Sequence, residues 1–269
     1  MEAGSDAYAR ELLERYFIGD AFEDTLFHAD NELRERACSW KIMSSIRYFS
    51  PLANGTWRWK AVGIPLNLLD RSLQGDIDLL VAMLLPPTGG KFPPTVYRCF
   101  ELKTAKITRT GVVKSLKSAK FHKTMGQLEK LCDIGAQQVF LLEAFIVEAG
   151  FSDAGLALMP PSVREAVSSK HKHIMRADYG YVAMAIEQMR GFAEDSANRF
   201  WPTATIKSAK IKEPSGPFLD IIEAIEGYIE VSGVNRSFDV ITYCDACKKL
   251  THTHRTGPYL CRECKTPFI

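Results

Sequence analysis

At 269 residues the chain is long enough for one sizeable domain and a small appendage, and its 46% apolar content excludes a disordered or low-complexity class. A formal net charge of +2 is too small to signal a nucleic-acid partner, so that argument rests on how charge is distributed. Met1-Glu-Ala-Gly-Ser-Asp lacks the basic and apolar succession of a secretory leader, and no run reaches the ~20 apolar residues of a membrane span; a cytoplasmic protein with no membrane partner is expected.

In chain order, amphipathic patterns predict helices over Asp6 to Phe17 and over Asn31 to Ile46, the second capped by Asp30 or Asn31. Thr56 to Gly63 alternates like a strand. Asp76 to Leu85 is an apolar run that stops at Pro86-Pro87-Thr88-Gly89-Gly90, and Val96 to Leu102 is a second run, so two adjacent strands joined by a turn-rich loop are predicted.

Side chains two apart on a strand share a face, so Glu101 projects with Lys103, and Asp76 with Asp78. Charges in apolar strands are costly unless they are paired or hold a metal, and two neighbouring strands carry them here. Phosphodiester hydrolysis explains the residue types, because a divalent metal on oxygen ligands activates water and neutralises charge growing on phosphate. Asp78 and Glu101 are then the ligands of Mg2+ or Mn2+, and Lys103 meets the attacking water or the phosphate.

Beyond the lysine, Lys103 to Lys130 carries eight basic residues, Lys106, Lys117, Lys120, Lys123 and Lys130 among them, against the lone carboxylate Glu129. Ser118 to Gly135 is a helix with Phe121, Met125, Leu128 and Cys132 on one face and Lys120, Lys123, Gln127 and Lys130 opposite, where lysines can hold phosphates. Gln138 to Val147 is a buried strand. Helix, three strands, helix and strand make an α/β core. Helical patterns resume at Ser162 to His173, Tyr181 to Ala193 and Phe218 to Ile229, read as additions to that core. A linker is placed around Ser232 to Phe238.

The carboxyl end holds Cys244-Asp-Ala-Cys247 and Cys261-Arg-Glu-Cys264, two knuckles whose spacing lets four thiolates converge on one structural Zn2+. Cys38, Cys99 and Cys132 lie apart in apolar segments, so the cysteines have metal spacing and not that of a disulfide framework. His252 and His254, between the knuckles, can substitute as ligands. The segment resembles a zinc ribbon, made basic by Lys248, Lys249, Arg255, Arg262 and Lys265.

Gly75-Asp-Ile-Asp-Leu-Leu80 followed by Phe100-Glu-Leu-Lys-Thr104 resembles the PD-(D/E)xK nuclease superfamily, which includes restriction endonucleases and Holliday-junction resolvases. The resemblance spans about Asn31 to Val147. It implies a restriction-endonuclease-like core (αβββαβ, a central mixed sheet flanked by helices) over residues 1–235 and a zinc ribbon over 240–269. It also implies Asp78 and Glu101 as metal ligands, Lys103 as the catalytic lysine, Gln127 beside the site and a first-helix glutamate, Glu35 in preference to Glu32, completing it. No proline precedes the aspartate, so Asp76 stays an alternative to Asp78. The expected function is a magnesium-dependent DNA nuclease, RNA being the less favoured substrate, in prokaryotic defence against phage or foreign DNA. A partner helicase or ATPase subunit and a homodimer are both compatible with it. The alternatives are a repair or recombination nuclease, or an inactive nucleic-acid-binding or adaptor protein on the same fold.

Overall fold

The computed structural model describes residues 29–68, 72–85, 94–108, 113–114, 118–147, 174, 177–186, 203–257 and 259–268. The helices expected over Asp6 to Phe17 and Ser162 to His173 lie outside them.

Helix α1, Asn31–Ser44, starts where Asp30 accepts the Leu33 N–H at 2.8 Å, satisfying one of the amides that a first helical turn leaves without a partner. The short α2, Ile46–Leu52, follows. Strands β1 (Trp57–Pro65), β2 (Asp76–Leu84) and β3 (Thr95–Ile107) form an antiparallel meander. The two-residue β4, Val113–Lys114, pairs with the end of β3. Helix α3, Ser118–Asp133, then carries the chain to β5, Gln138–Val147, which lies parallel to β3. The helix stops at Gly135, whose φ of +91° suits glycine; a Cβ there would run into the Ser215 carbonyl.

Beyond β5 come β6 (Gly180–Ile186), β7 (Thr203–Lys207), helix α4 (Gly216–Ser232), β8 (Asp239–Cys244) and β9 (Lys249–His254). Among the described residues, nine strands form one mixed sheet in the order β7-β6-β5-β3-β2-β1-β8-β9, with β4 beside β3. One face is covered by α1 and α2 through Ala37, Ile42, Met43 and Phe49. The other is covered by α3 and α4 through Leu128, Leu131, Phe218 and Ile225. The protein is therefore a three-layer α/β fold.

Two features differ from what periodicity predicts. The segment from Tyr181, expected to be helical as far as Ala193, instead forms β6 up to Ile186, parallel to β5; the remainder lies outside the described residues. Tyr181 and Ala183 pack toward one face and Val182 and Met184 toward the other. A short run buried on both sides carries no period to separate strand from helix. The cysteine-bearing hairpin also enters the main sheet: β8 runs parallel to β1, with Ala61 opposite Ile241 and Val62 opposite Thr242.

Candidate active site and metal centre

The acidic site lies where the sheet parts. Strands β2 and β3 pair from Leu84 and Thr95 down to Leu79 and Phe100, where the ladder ends. β2 continues against β1, with Ile77 opposite Ile64 and Asp76 opposite Pro65, while β3 continues against β5. Asp78 and Glu101 are the residues next to the last pair, at the mouth of the gap. The Leu102 N–H, which finds no partner in β2, donates to Asp78 Oδ2 at 2.6 Å. Asp78 thereby satisfies a backbone donor left by the divergence and fixes its own carboxylate beside Glu101.

Glu101 is almost wholly buried, and Lys103 Nζ donates to its Oε1 at 2.7 Å. Glu35, on α1, approaches the same ammonium at 3.6 Å. Glu32 instead pairs with Arg36 at 3.3 Å at the rim of the site, its side chain 86% exposed. Of the two first-helix glutamates, then, Glu35 is the one beside Lys103.

Burial holds the Asp78 carboxyl well above the usual carboxylate range; neighbouring Glu101 and Asp76 add to this, and Lys103 opposes it. Burial raises Glu101 as well, against Lys103. Burial acts to lower the Lys103 ammonium, but Glu101, Asp78 and Glu35 outweigh it and the net direction is upward. Two desolvated carboxylates against one lysine leave the gap electronegative, a setting that favours a further cation.

These residues open into a cleft of about 530 Å3. Gln127, from α3, lines it together with Asp76 and Glu32. Gly63 lines it too: between the pairs Val62–Leu79 and Ile64–Ile77 it stands opposite Asp78, with φ +59° and nothing within 4 Å of where a Cβ would be. Glycine here meets the left-handed backbone and keeps the carboxylate accessible.

Among the described basic residues of the following segment, none lines this cleft. Lys130 donates to the Gln74 carbonyl in the approach to β2, Lys123 is exposed on α3, and Lys106 is half-buried at the end of β3. Lys117 and the side chain of Lys120 lie outside the described residues.

The second centre is at the end of β8. Cys244, Cys247, Cys261 and Cys264 place all four sulfurs within 4.8 Å of one another, with Cys244 to Cys264 at 3.6 Å and Cys247 to Cys261 at 3.7 Å. A tetrahedron with zinc–sulfur bonds of about 2.3 Å has edges of about 3.8 Å, so the cluster fits such a metal. Each knuckle closes with the same turn: the Lys248 N–H donates to the Cys244 carbonyl and the Lys265 N–H to the Cys261 carbonyl. His252 is not a ligand; it is buried on β9, with Nδ1 hydrogen-bonded to the Tyr228 hydroxyl at 2.7 Å. His254 bonds Thr256 instead. Cys38 and Cys99 are buried core thiols, and burial pushes both upward in pKa.

Periodicity and motif spacing did not reveal that the two centres adjoin. Thr242 to Ala246 and Thr266 to Phe268 line the same cleft as Asp78 and Glu101, because β8 lies one strand from β2 across β1. Among the described residues, no helix is long and apolar enough to cross a membrane. No family model, curated protein or solved structure matches this chain.

Proposed function

We propose that the protein is a divalent-metal-dependent nuclease that hydrolyses phosphodiester bonds, with DNA as the expected substrate. One observation carries the reading: Asp78 and Glu101 flank the point where β2 and β3 part, with Lys103 on the glutamate, in an open cleft. The element order α1, β1 to β3, α3, β5, with β5 parallel to β3, is consistent with the restriction-endonuclease-like core that the motifs resemble.

Asp78 and Glu101 would hold a magnesium or manganese ion, which supplies Lewis acidity toward the phosphate and lowers the pKa of a bound water. The chain's own part is to position groups. The Leu102 N–H fixes Asp78, Glu35 helps to hold Lys103, and the Lys103 ammonium donates to the attacking water or a phosphate oxygen. Gln127 stands at the cleft wall, where it can orient either. The four-cysteine centre has no open position and serves structure.

The test is incubation of purified full-length protein with DNA and RNA in magnesium or manganese, beside Glu101→Ala and Lys103→Ala. Cleavage by the unaltered protein and a loss of about 100-fold or more in each variant is expected. Binding without cleavage of any substrate would overturn the enzyme reading in favour of a nucleic-acid-binding protein.

A further inference from the structure

We infer that the four-cysteine module is the second jaw of the cleft and that Trp40 seats it, so the cleft is complete only when the thiolates hold a metal. The inference rests on the nuclease reading for the identity of the substrate, and on geometry for the rest. The acidic jaw stands on β2, β3 and α1, each anchored in the core without help from the cysteines. The opposing wall is made of the first knuckle, Cys244 to Ala246, and of the segment Thr266 to Phe268 beyond the second.

That second segment has little of its own to hold it. Among the described residues, 259–268 join no strand of the main sheet, and their one ladder contact is the isolated bridge between Leu260 and Pro267. A piece this short cannot bury a core, so ligation supplies most of its order. Its contact with the body of the protein is aromatic. Trp40, buried on α1 and itself lining the cleft, stacks on Phe268 with ring centroids 5.4 Å apart at 10°, and meets Tyr259 at 5.3 Å. The Tyr259 hydroxyl donates to the Arg255 carbonyl and accepts from Ser44 Oγ, also on α1, at 3.1 Å. Metal at one end and Trp40 at the other thus fix the wall that faces the carboxylates. Trp40 is a positioning residue: it acts on substrate through the jaw, whereas the reacting groups stand on the other side.

Full-length Cys261→Ser/Cys264→Ser, Trp40→Ala and Trp40→Phe proteins test this against the unaltered protein. Binding of a short fluorescent DNA duplex in calcium is measured first, then turnover at saturating DNA in magnesium. The double cysteine variant and Trp40→Ala should each weaken binding about tenfold or more, and in the cysteine variant, which leaves β2, β3 and α1 unaltered, turnover should stay within about threefold. Trp40→Ala should retain its zinc, and Trp40→Phe should behave like the unaltered protein. Independently of any activity, Arg262 and Lys265 should become cleavable by trypsin in the first two variants, while the amides of β3 keep their protection from hydrogen exchange. Unchanged binding and trypsin resistance would overturn the inference, as would loss of β3 protection along with the jaw, which would make the module a general scaffold. Should the unaltered protein neither bind nor cleave DNA, the nuclease reading fails, and the trypsin and exchange comparison still decides whether metal and Trp40 seat the jaw.

Discussion

Lys60 is a charge in the core, and its removal gives a signature set by pH. It lies on β1, 2% exposed, and its ammonium donates to the Met43 carbonyl at 2.6 Å and stands 4.7 Å from the centre of the Phe49 ring. Met43 is in the last turn of α1, where carbonyls have no helical partner, so Lys60 caps the helix that carries Glu35. Burial, aided by Arg255, pushes its pKa down from the usual 10.5 to about 8. Below pH 8 both folded and unfolded states hold the proton and the cost of burying it is paid in full. Between about 8 and 10.5 the unfolded chain keeps a proton that the folded one has lost, so this residue's contribution to stability rises with pH. At about 1.4 kcal/mol per pH unit, the difference in stability between the unaltered protein and Lys60→Met should move by about 2.5 kcal/mol from pH 7 to pH 10, in favour of the unaltered protein. Packing and the lost cap add a constant offset that does not alter this slope. Urea denaturation of both proteins at several pH values measures it, and taking the difference cancels the titration of other groups. A flat difference would refute the picture of a buried, titrating Lys60.

Two glycines give sharper local tests. Gly63→Ala and Gly63→Leu should both lose about 1–2 kcal/mol, because both must adopt the left-handed backbone at φ +59°. Only leucine extends into the cleft opposite Asp78, so cleavage should fall about tenfold further for Leu than for Ala; equal losses would mean that the space before Asp78 is not used. At Gly135, alanine meets the Ser215 carbonyl as well as an unfavourable φ, at the point where the Phe218 N–H donates to the Ile134 carbonyl and ties α4 to α3. Gly135→Ala should destabilise by about 2–4 kcal/mol in urea denaturation, and a loss within 1 kcal/mol would show that the two segments part easily.

What could be read in the sequence was local. Asn31–Ser44, β1, β2, β3, β5 and α4 each repeat with an ordinary period or run as a bounded apolar block, and the structure places elements at those positions. The four cysteines were legible because ligand spacing is itself local, and they converge. Pairings between distant segments were not. Nothing in Asp239–Cys244 announces a parallel partner in Trp57–Pro65, well over a hundred residues earlier, so the hairpin read as an appendage when it is a continuation of the sheet and a wall of the cleft. Nor could periodicity choose between Glu32 and Glu35, three apart on one helix; the approach of Lys103 to Glu35 at 3.6 Å and the exposed pairing of Glu32 with Arg36 separate them.

The acidic residues were legible for a different reason, and it bears on why the site is where it is. An aspartate and a glutamate in apolar strands are local contradictions, each costly to bury, and such contradictions mark positions under some demand other than folding. The structure shows how the contradiction is accommodated. Had β2 and β3 stayed paired beyond Leu79 and Phe100, Asp78 and Glu101 would have met across a closed ladder, two buried carboxylates with little room between them. Instead the strands separate at that residue, each taking its other neighbour, and Asp78 accepts the Leu102 N–H left without a partner in β2. Parting the sheet therefore serves backbone and side chain together: one carboxylate answers the unpaired donor, Lys103 answers the other, and the opening between them becomes the cleft. On the other side of β2, where the ladder with β1 stays paired, Gly63 stands opposite Asp78 and leaves the cleft wall there without a side chain.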